Sequence, residues 1–373
     1  MAKKSNVTET NDMDEMDSEE EFSFPPAERR VVTQPVDLSV QTLFDQWESG
    51  HLSLPEIQRE YVWDNGKASR LNESLLLNIP VPVLYFAETA DAKYEIIDGH
   101  QRVKSIARFL KNEFTLSGLG VLREYKGLRF HQLPEREQRF LKMRTLRVVI
   151  ISFDSHPNMK FEIFERLNTG AISLNAQELR NSIYRGNLNS LLHELAGNTV
   201  LRSIIGTKMP RKRMVDEELI LRFFALREAL DVYRTPLKRF LNDYASLGRK
   251  VVDLKLQSLA TLFESTIENV RRIFGDGAFR NIDADGVALE PSVNRALFDA
   301  QMLACSWITG TISSAQSKKA RKLISALFDD EKFLDAIQRA TGDRARTLKR
   351  IRDTVAAMTA AGIDLSVPFD LAR

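Results

Sequence analysis

Sulfur chemistry is nearly absent from this chain. Its 373 residues hold one cysteine, Cys305, so no intrachain disulfide can form and no cysteine-based structural zinc site can be built. Cys305 lies in the apolar run MLACSWI, a setting that predicts plain core packing. Long apolar runs are missing too. No stretch reaches the roughly 18 residues of a membrane-spanning helix, and the opening MAKKSNVTET has no apolar leader. The expectation is a cytoplasmic protein with no membrane partner.

What remains has the composition of a folded domain, 43% hydrophobic and 28% charged, and the length predicts two domains or one with a helical extension. The formal net charge of +2 hides an asymmetry. Residues 1–21 carry eight acids against Lys3 and Lys4, a net of −6, which leaves +8 for the rest. A mildly basic body permits a nucleic-acid or nucleotide partner. Residues 1–30, poor in apolar side chains and holding Pro25-Pro26, cannot bury enough surface to offset ordering entropy and are expected to be disordered.

Beyond that tail, Leu43, Phe44 and Trp47 fall at helical spacing. Lys67 to Asn78 reads as a second helix that Pro80 stops. Val83–Phe86 and Tyr94–Ile97 read as buried strands close enough to pair. Val103, Ile106, Ala107 and Leu110 mark a helix, LRVVIISF at 146–153 is the clearest strand, and Lys160–Leu167 is helical again. From about residue 187 the pattern is almost wholly helical, as in 217–230, 254–273 and 318–327. The fold class is α+β: a disordered tail at 1–30, a small mixed α/β domain at 31–186, then an all-α domain at 187–373.

Three clusters carry chemistry. In Asp98-Gly99-His100-Gln101-Arg102, a glycine without Cβ and the first amides of a helix converge where strand meets helix, an arrangement that holds phosphate. Arg102 can fork two phosphate oxygens. Asp98 could hold magnesium or orient water, and His100 could shuttle a proton. The plainer alternative makes Asp98 an N-cap and Arg102 a surface cation. The second cluster, LPEIQREYVW at 54–63, bunches Gln58, Arg59, Tyr61 and Trp63 in a predicted loop; its plainer reading is that Tyr61 and Trp63 staple two helices. In the third, Phe164 to Gly170 followed by Leu174 to Arg180, helix capping accounts for Gly170, Asn175 and Glu178. Arg166, Asn168, Gln177 and Arg180 are left as candidates.

In that order, these clusters resemble the signature of the N-terminal domain of GmrSD-type modification-dependent restriction enzymes: Q-R-x-Y-x-W at 58–63, D-G-Q-Q-R at 98–102, and F-x-R-L-N-T-G at 164–170 with Q-E-L-R at 177–180. The segments 212–223 and 238–241 also resemble that family's helical region, so the resemblance runs over about 35–350. One departure stands out: His100 replaces the family's usual glutamine. The resemblance implies a ParB/sulfiredoxin-like core that binds a nucleoside triphosphate with Mg²⁺. Asp98, His100 and Gln101 would then be the catalytic candidates, with Asp98 also the metal ligand. The nucleotide-binding candidates are Gln58, Arg59, Tyr61, Trp63, Gly99, Arg102, Lys104, Arg166, Asn168, Thr169, Gln177 and Arg180. His100 moves the loop toward the G-H-x-R form of ParB-like proteins, which keeps binding and leaves hydrolysis open.

The full restriction enzymes add a His-Asn-His metal nuclease. The five histidines here are His51, His100, His131, His156 and His193, none beyond 193, so the helical half is not expected to supply both the histidine base and the second histidine ligand that such chemistry uses. Three basic knots remain: Lys208/Arg211/Lys212/Arg213, Lys318/Lys319/Arg321/Lys322, and Arg344/Arg346/Lys349/Arg350/Arg352. Each is either a solvated helix face or a DNA-phosphate contact, with Arg211, Lys212 and Arg213 the DNA-binding candidates. The leading expectation is a nucleoside triphosphatase of a bacterial restriction or anti-phage system, with a separate nuclease or defence subunit as partner. A nucleotide-gated DNA-binding subunit and a DNA-nicking phosphodiesterase using Asp98, His100 and Glu56 are the alternatives.

Overall fold

The apolar runs of the first half meet in one sheet. In the computed structural model, which describes residues 25–54, 61–167 and 174–368, five strands form it: β1 (Thr33–Ser39), β2 (Leu52–Ser53), β3 (Leu84–Glu88), β4 (Tyr94–Asp98) and β5 (Thr145–Ile151), in spatial order β1-β5-β3-β4-β2. β5 pairs antiparallel with β1 and parallel with β3, while β4 runs antiparallel to β3 and parallel to β2. The expected pairing of 83–86 with 94–97 is therefore present. The edge strand β1 was not legible: it is mostly exposed and carries Pro35, which an edge strand tolerates.

Six helices accompany the sheet: α1 (Val40–Glu48), α2 (Asn65–Leu76), α3 (His100–Leu110), α4 (Glu135–Met143), α5 (Pro157–Leu167) and α6 (Ala176–Ile183). α1 opens on Ser39, whose hydroxyl accepts from the Thr42 amide at 3.0 Å. α2 opens on Asp64, which accepts from the Lys67 amide at 2.7 Å. The predicted apolar stripe of α3 is buried, with Val103, Ile106, Ala107 and Leu110 in the core beside Phe86, Ile96 and Val148. Glu73, buried on α2, accepts from the amides of Gly120, Val121 and Leu122 at 2.8–3.0 Å and so ties down the loop after α3. Burial alone would raise its carboxyl, but those amides and the Arg70 charge outweigh that and hold it below the usual range.

The chain divides into two compact units, Phe24–Ile183 with this sheet and Tyr184–Arg373 with the helices that follow. These are α7 (Asn187–Ala196), α8 (Thr199–Ile205), α9 (Val215–Ala229), α10 (Leu237–Gly248), α11 (Asp253–Phe274), α12 (Arg295–Ser306), α13 (Ser314–Ser325), α14 (Glu331–Gln338) and α15 (Arg344–Ala360). α9 and α12 are buried nearly all round, as central helices must be, and α12 touches α9, α11, α14 and α15. Cys305 on α12 is buried as expected, and burial pushes its thiol upward.

At the centre of this unit Asp299 of α12 is enclosed between Arg222 of α9 and Arg350 of α15. Arg222 donates through Nε and Nη2 at 3.2 and 2.7 Å, and Arg350 through Nη2 at 2.9 Å. All three side chains are at most 1% exposed. Of the third basic knot of the sequence, Arg350 is buried and Arg344, Arg346 and Lys349 are partly exposed and partnered within the unit. Arg350 sits in this triad, Arg344 donates to the Tyr233 carbonyl at 2.9 Å, Arg346 pairs with Asp335 and Lys349 with Asp330 and Asp353.

Candidate functional site

Everything at this site follows from how β4 ends. β4 pairs with β3 until Asp98, and the register slips between Tyr85 and Phe86, opposite that end. Such bulges re-aim the chain beside functional sites. Gly99 then takes φ +102°, ψ 8°, a left-handed conformation that favours glycine. A Cβ there would lie 2.2 Å from Leu84 Cδ2. α3 starts at once, and its ladder begins with the Val103 amide donating to the Gly99 carbonyl at 2.9 Å. The amides of His100, Gln101 and Arg102 precede that ladder, at the positive end of the helix dipole.

Arg102 locks the turn. Its Nη2 donates to Asp98 Oδ2 at 2.6 Å, and its Nη1 donates to the carbonyls of Pro82 and, at 3.3 Å, Val83. The Arg102 side chain is 12% exposed and that of Asp98 45%. Burial pulls the guanidinium below its ordinary value, while the Asp98 charge and hydrogen bond oppose that; an arginine stays protonated in any case. So the plainer expectation, a surface cation, does not describe Arg102: it joins the end of β4 to the segment entering β3.

The second cluster lies along the same helix. Gln101 Oε1 accepts from the amides of Val62 and Trp63 at 3.1 and 3.2 Å. The Tyr61 hydroxyl meets Ser105 Oγ at 2.9 Å, and its ring is covered by Lys104 at 5.6 Å and Arg108 at 4.6 Å. Trp63 packs against the core. Sequence reasoning overlooked Ser105 and Arg108, each four residues after a candidate (Gln101 and Lys104) and so on the same helix face. His100, the departure from the family pattern, is buried at 8% exposure.

The third cluster reaches the strand through α5, which touches both β4 and α6. The capping reading of Asn175 and Glu178 holds: each side chain accepts from the other's amide at 2.8 Å. Gln177 and Arg180 are buried, with Arg180 Nη1 donating to Gln177 Oε1 at 3.2 Å and its guanidinium over the Phe161 ring at 6.0 Å. Arg166 points elsewhere, 77% exposed and paired with Glu162 at 2.7 Å. Glu56, Gln58, Arg59, Asn168, Thr169, Gly170 and the tail 1–24 lie outside the described residues. Among the DNA-binding candidates, Lys212 and Arg213 are exposed, while Arg211 pairs with Asp216 at 2.7 Å.

With that geometry in place the comparison with known families is decisive for this stretch. Residues 40–185 match the family model described as the GmrSD restriction endonuclease N-terminal domain. The matched stretch runs through the sheet-bearing unit from α1 to the end of α6 and spans all three clusters, so this stretch is similar to that restriction-related family. No curated protein matches the chain. Among the described residues no helix is long and apolar enough to cross a membrane, and no three His, Cys, Asp or Glu side chains form a metal-binding group.

Proposed function

We propose that the GmrSD N-terminal domain of this chain binds a nucleoside triphosphate at the β4–α3 junction and hydrolyses it, as part of a bacterial restriction or anti-phage system. The observation that carries the reading is the Gly99 turn, held by Arg102 and opening directly into the N-terminus of α3. The phosphates would lie against the amides that precede the α3 ladder, where the helix dipole favours negative charge. They would compete with Asp98 for Arg102 Nη2. Gln101 fixes the backbone at Val62 and Trp63, and in this reading Tyr61 and Trp63 would border the nucleotide.

Asp98 suits the magnesium ion that travels with a triphosphate. It is a half-exposed carboxylate with Oδ2 on Arg102, and one or two protein carboxylates suffice when phosphates and water supply the other oxygens. Magnesium, when bound, would neutralise charge on the phosphates. Asp98 would hold it and orient an attacking water, and His100 is the proton-carrying candidate at the first turn of α3.

The test is a binding and phosphate-release panel over the common triphosphates with Mg²⁺, on wild type, Arg102→Lys and Asp98→Ala. Arg102→Lys keeps charge but loses the fork and is expected to lose binding; Asp98→Ala is expected to bind and not turn over. A folded wild-type protein that neither binds nor hydrolyses any of them would sink the reading.

A further inference from the structure

The helical unit holds a charge cluster that the nucleotide reading leaves unused. Arg202, in the last turn of α8, is 6% exposed. Its Nη1 donates to Thr207 Oγ1 at 2.9 Å and to the Met209 carbonyl at 3.1 Å, and lies 2.7 Å from Asp216 Oδ2. Its Nε and Nη2 are equally enclosed and meet no acceptor. Those two nitrogens are the two-pronged edge of the guanidinium, the edge that fits a phosphate or carboxylate through parallel N–H bonds. Enclosing it without an acceptor carries an uncompensated desolvation cost.

A second arginine repeats the pattern. Arg211 donates its Nε to Asp216 Oδ1 and its backbone amide to Oδ2, both at 2.7 Å, while its Nη2 is enclosed without an acceptor. Arg280, buried and close enough to Arg211 for their charges to interact, spends its own donors on the carbonyls of Ile204, Ile205, Asp276, Ala278 and Pro291. Two guanidiniums thus hold one buried carboxylate, that of Asp216, with Arg280 beyond Arg211. Asp276, the acid acting on Arg280, is exposed. A low-dielectric setting in which two guanidiniums outnumber the carboxylate between them, with three idle donors, favours an anion.

We propose that Arg202 and Arg211 form an oxyanion site of the phosphate class, in which Nε and Nη2 of Arg202 take two oxygens and Nη2 of Arg211 makes a further contact. Two parallel donors from Arg202 and a third from a second guanidinium suit a tetrahedral oxyanion, which offers a further oxygen beyond the pair that Arg202 would hold. The loop 206–214 covers the site, since Thr207 and Met209 both bond Arg202, and an anion enters as that loop lifts. Lys208 and Lys212, exposed on the loop, raise the local anion concentration. The phosphate is either free or part of a nucleic-acid backbone; the recognising chemistry is the same.

The experiment is a thermal-unfolding titration of the full chain, replacing chloride by inorganic phosphate at constant ionic strength. It is run also in the Arg102→Lys protein, where phosphate at the end of β4 no longer contributes. The expected result is a rise in Tm that saturates with phosphate in both proteins. It is lost in Arg202→Lys and weakened about tenfold in apparent affinity in Arg211→Lys, with far-UV circular dichroism showing each variant folded. Arg211, 30% exposed, keeps the test decisive if Arg202→Lys does not fold. Binding of a fluorescent DNA duplex then identifies the source. A duplex that phosphate displaces, and that Arg211→Lys binds more weakly, marks a backbone phosphate; duplex affinity indifferent to both marks a free one. No saturable phosphate-specific shift in the Arg102→Lys protein, or an equal shift when Arg211→Lys is added, overturns the proposal.

Discussion

Gly99 meets two demands at one atom: a left-handed φ and a Leu84 methyl where its Cβ would sit. Gly99→Ala is therefore expected to destabilise the sheet-bearing unit by about 2–4 kcal/mol, from backbone strain and overpacking together, measured by urea denaturation. Asp216 answers a different physics. Burial alone would raise its carboxyl, but the hydrogen bond from Arg202 and the charge and bonds of Arg211 hold it below the ordinary value. A depressed carboxyl contributes stability above the unfolded-state value, near ~3.9, and loses that contribution as pH falls through its folded value. Asp216→Asn, which leaves the buried Arg202 and the partly buried Arg211 uncompensated, is expected to cost about 3–5 kcal/mol at neutral pH. The gap between variant and wild type should narrow below about pH 4, and denaturant titrations at stepped pH check this. Residue identities in this cluster were legible as a basic knot, but the role of Arg211 was not, because nothing in the local sequence tells that Asp216 turns inward to meet it.

At the scale of elements, the joint between the 61–63 segment and α3 rests on Gln101, whose one oxygen serves two amides. Each such bond contributes about 1 kcal/mol net. Gln101→Ala should therefore cost about 1–2 kcal/mol and accelerate amide exchange at Val62 and Trp63 by roughly tenfold, which residue-resolved hydrogen exchange reads directly. If both amides keep wild-type protection, Gln101 is not the anchor. Periodicity revealed α1, α2, α3 and α5, and continuous apolar runs revealed β3, β4 and β5. Three elements escaped: β2, only two residues long, and β1 and α4, which bury too little to show a pattern. β1 is too exposed to alternate visibly, and α4 (EREQRFLKM) buries only Leu141, so its polar sequence gives no stripe. The Arg102 clamp escaped because its partners at Pro82 and Val83 are backbone carbonyls, on which residue type leaves no signature.

For the molecule as a whole, the split between an α/β unit and a helical unit was visible as a change of hydrophobic period near residue 187. The interior of the helical unit was not. Arg350 read as one member of a basic knot, yet it faces Asp299 in the least exposed place that unit has. Asp299→Ala would leave two buried cations unmatched and is expected to cost about 3–5 kcal/mol, seen as an earlier urea midpoint with an unchanged slope.

That triad also sets an order of events. Arg222 can reach Asp299 as soon as α12 exists, but Arg350 lies 51 positions further on. On a ribosome adding about 5–20 residues per second, α9 and α12 wait seconds before α15 emerges to close the centre. During that interval the side of α12 that α15 will pack against is an open face.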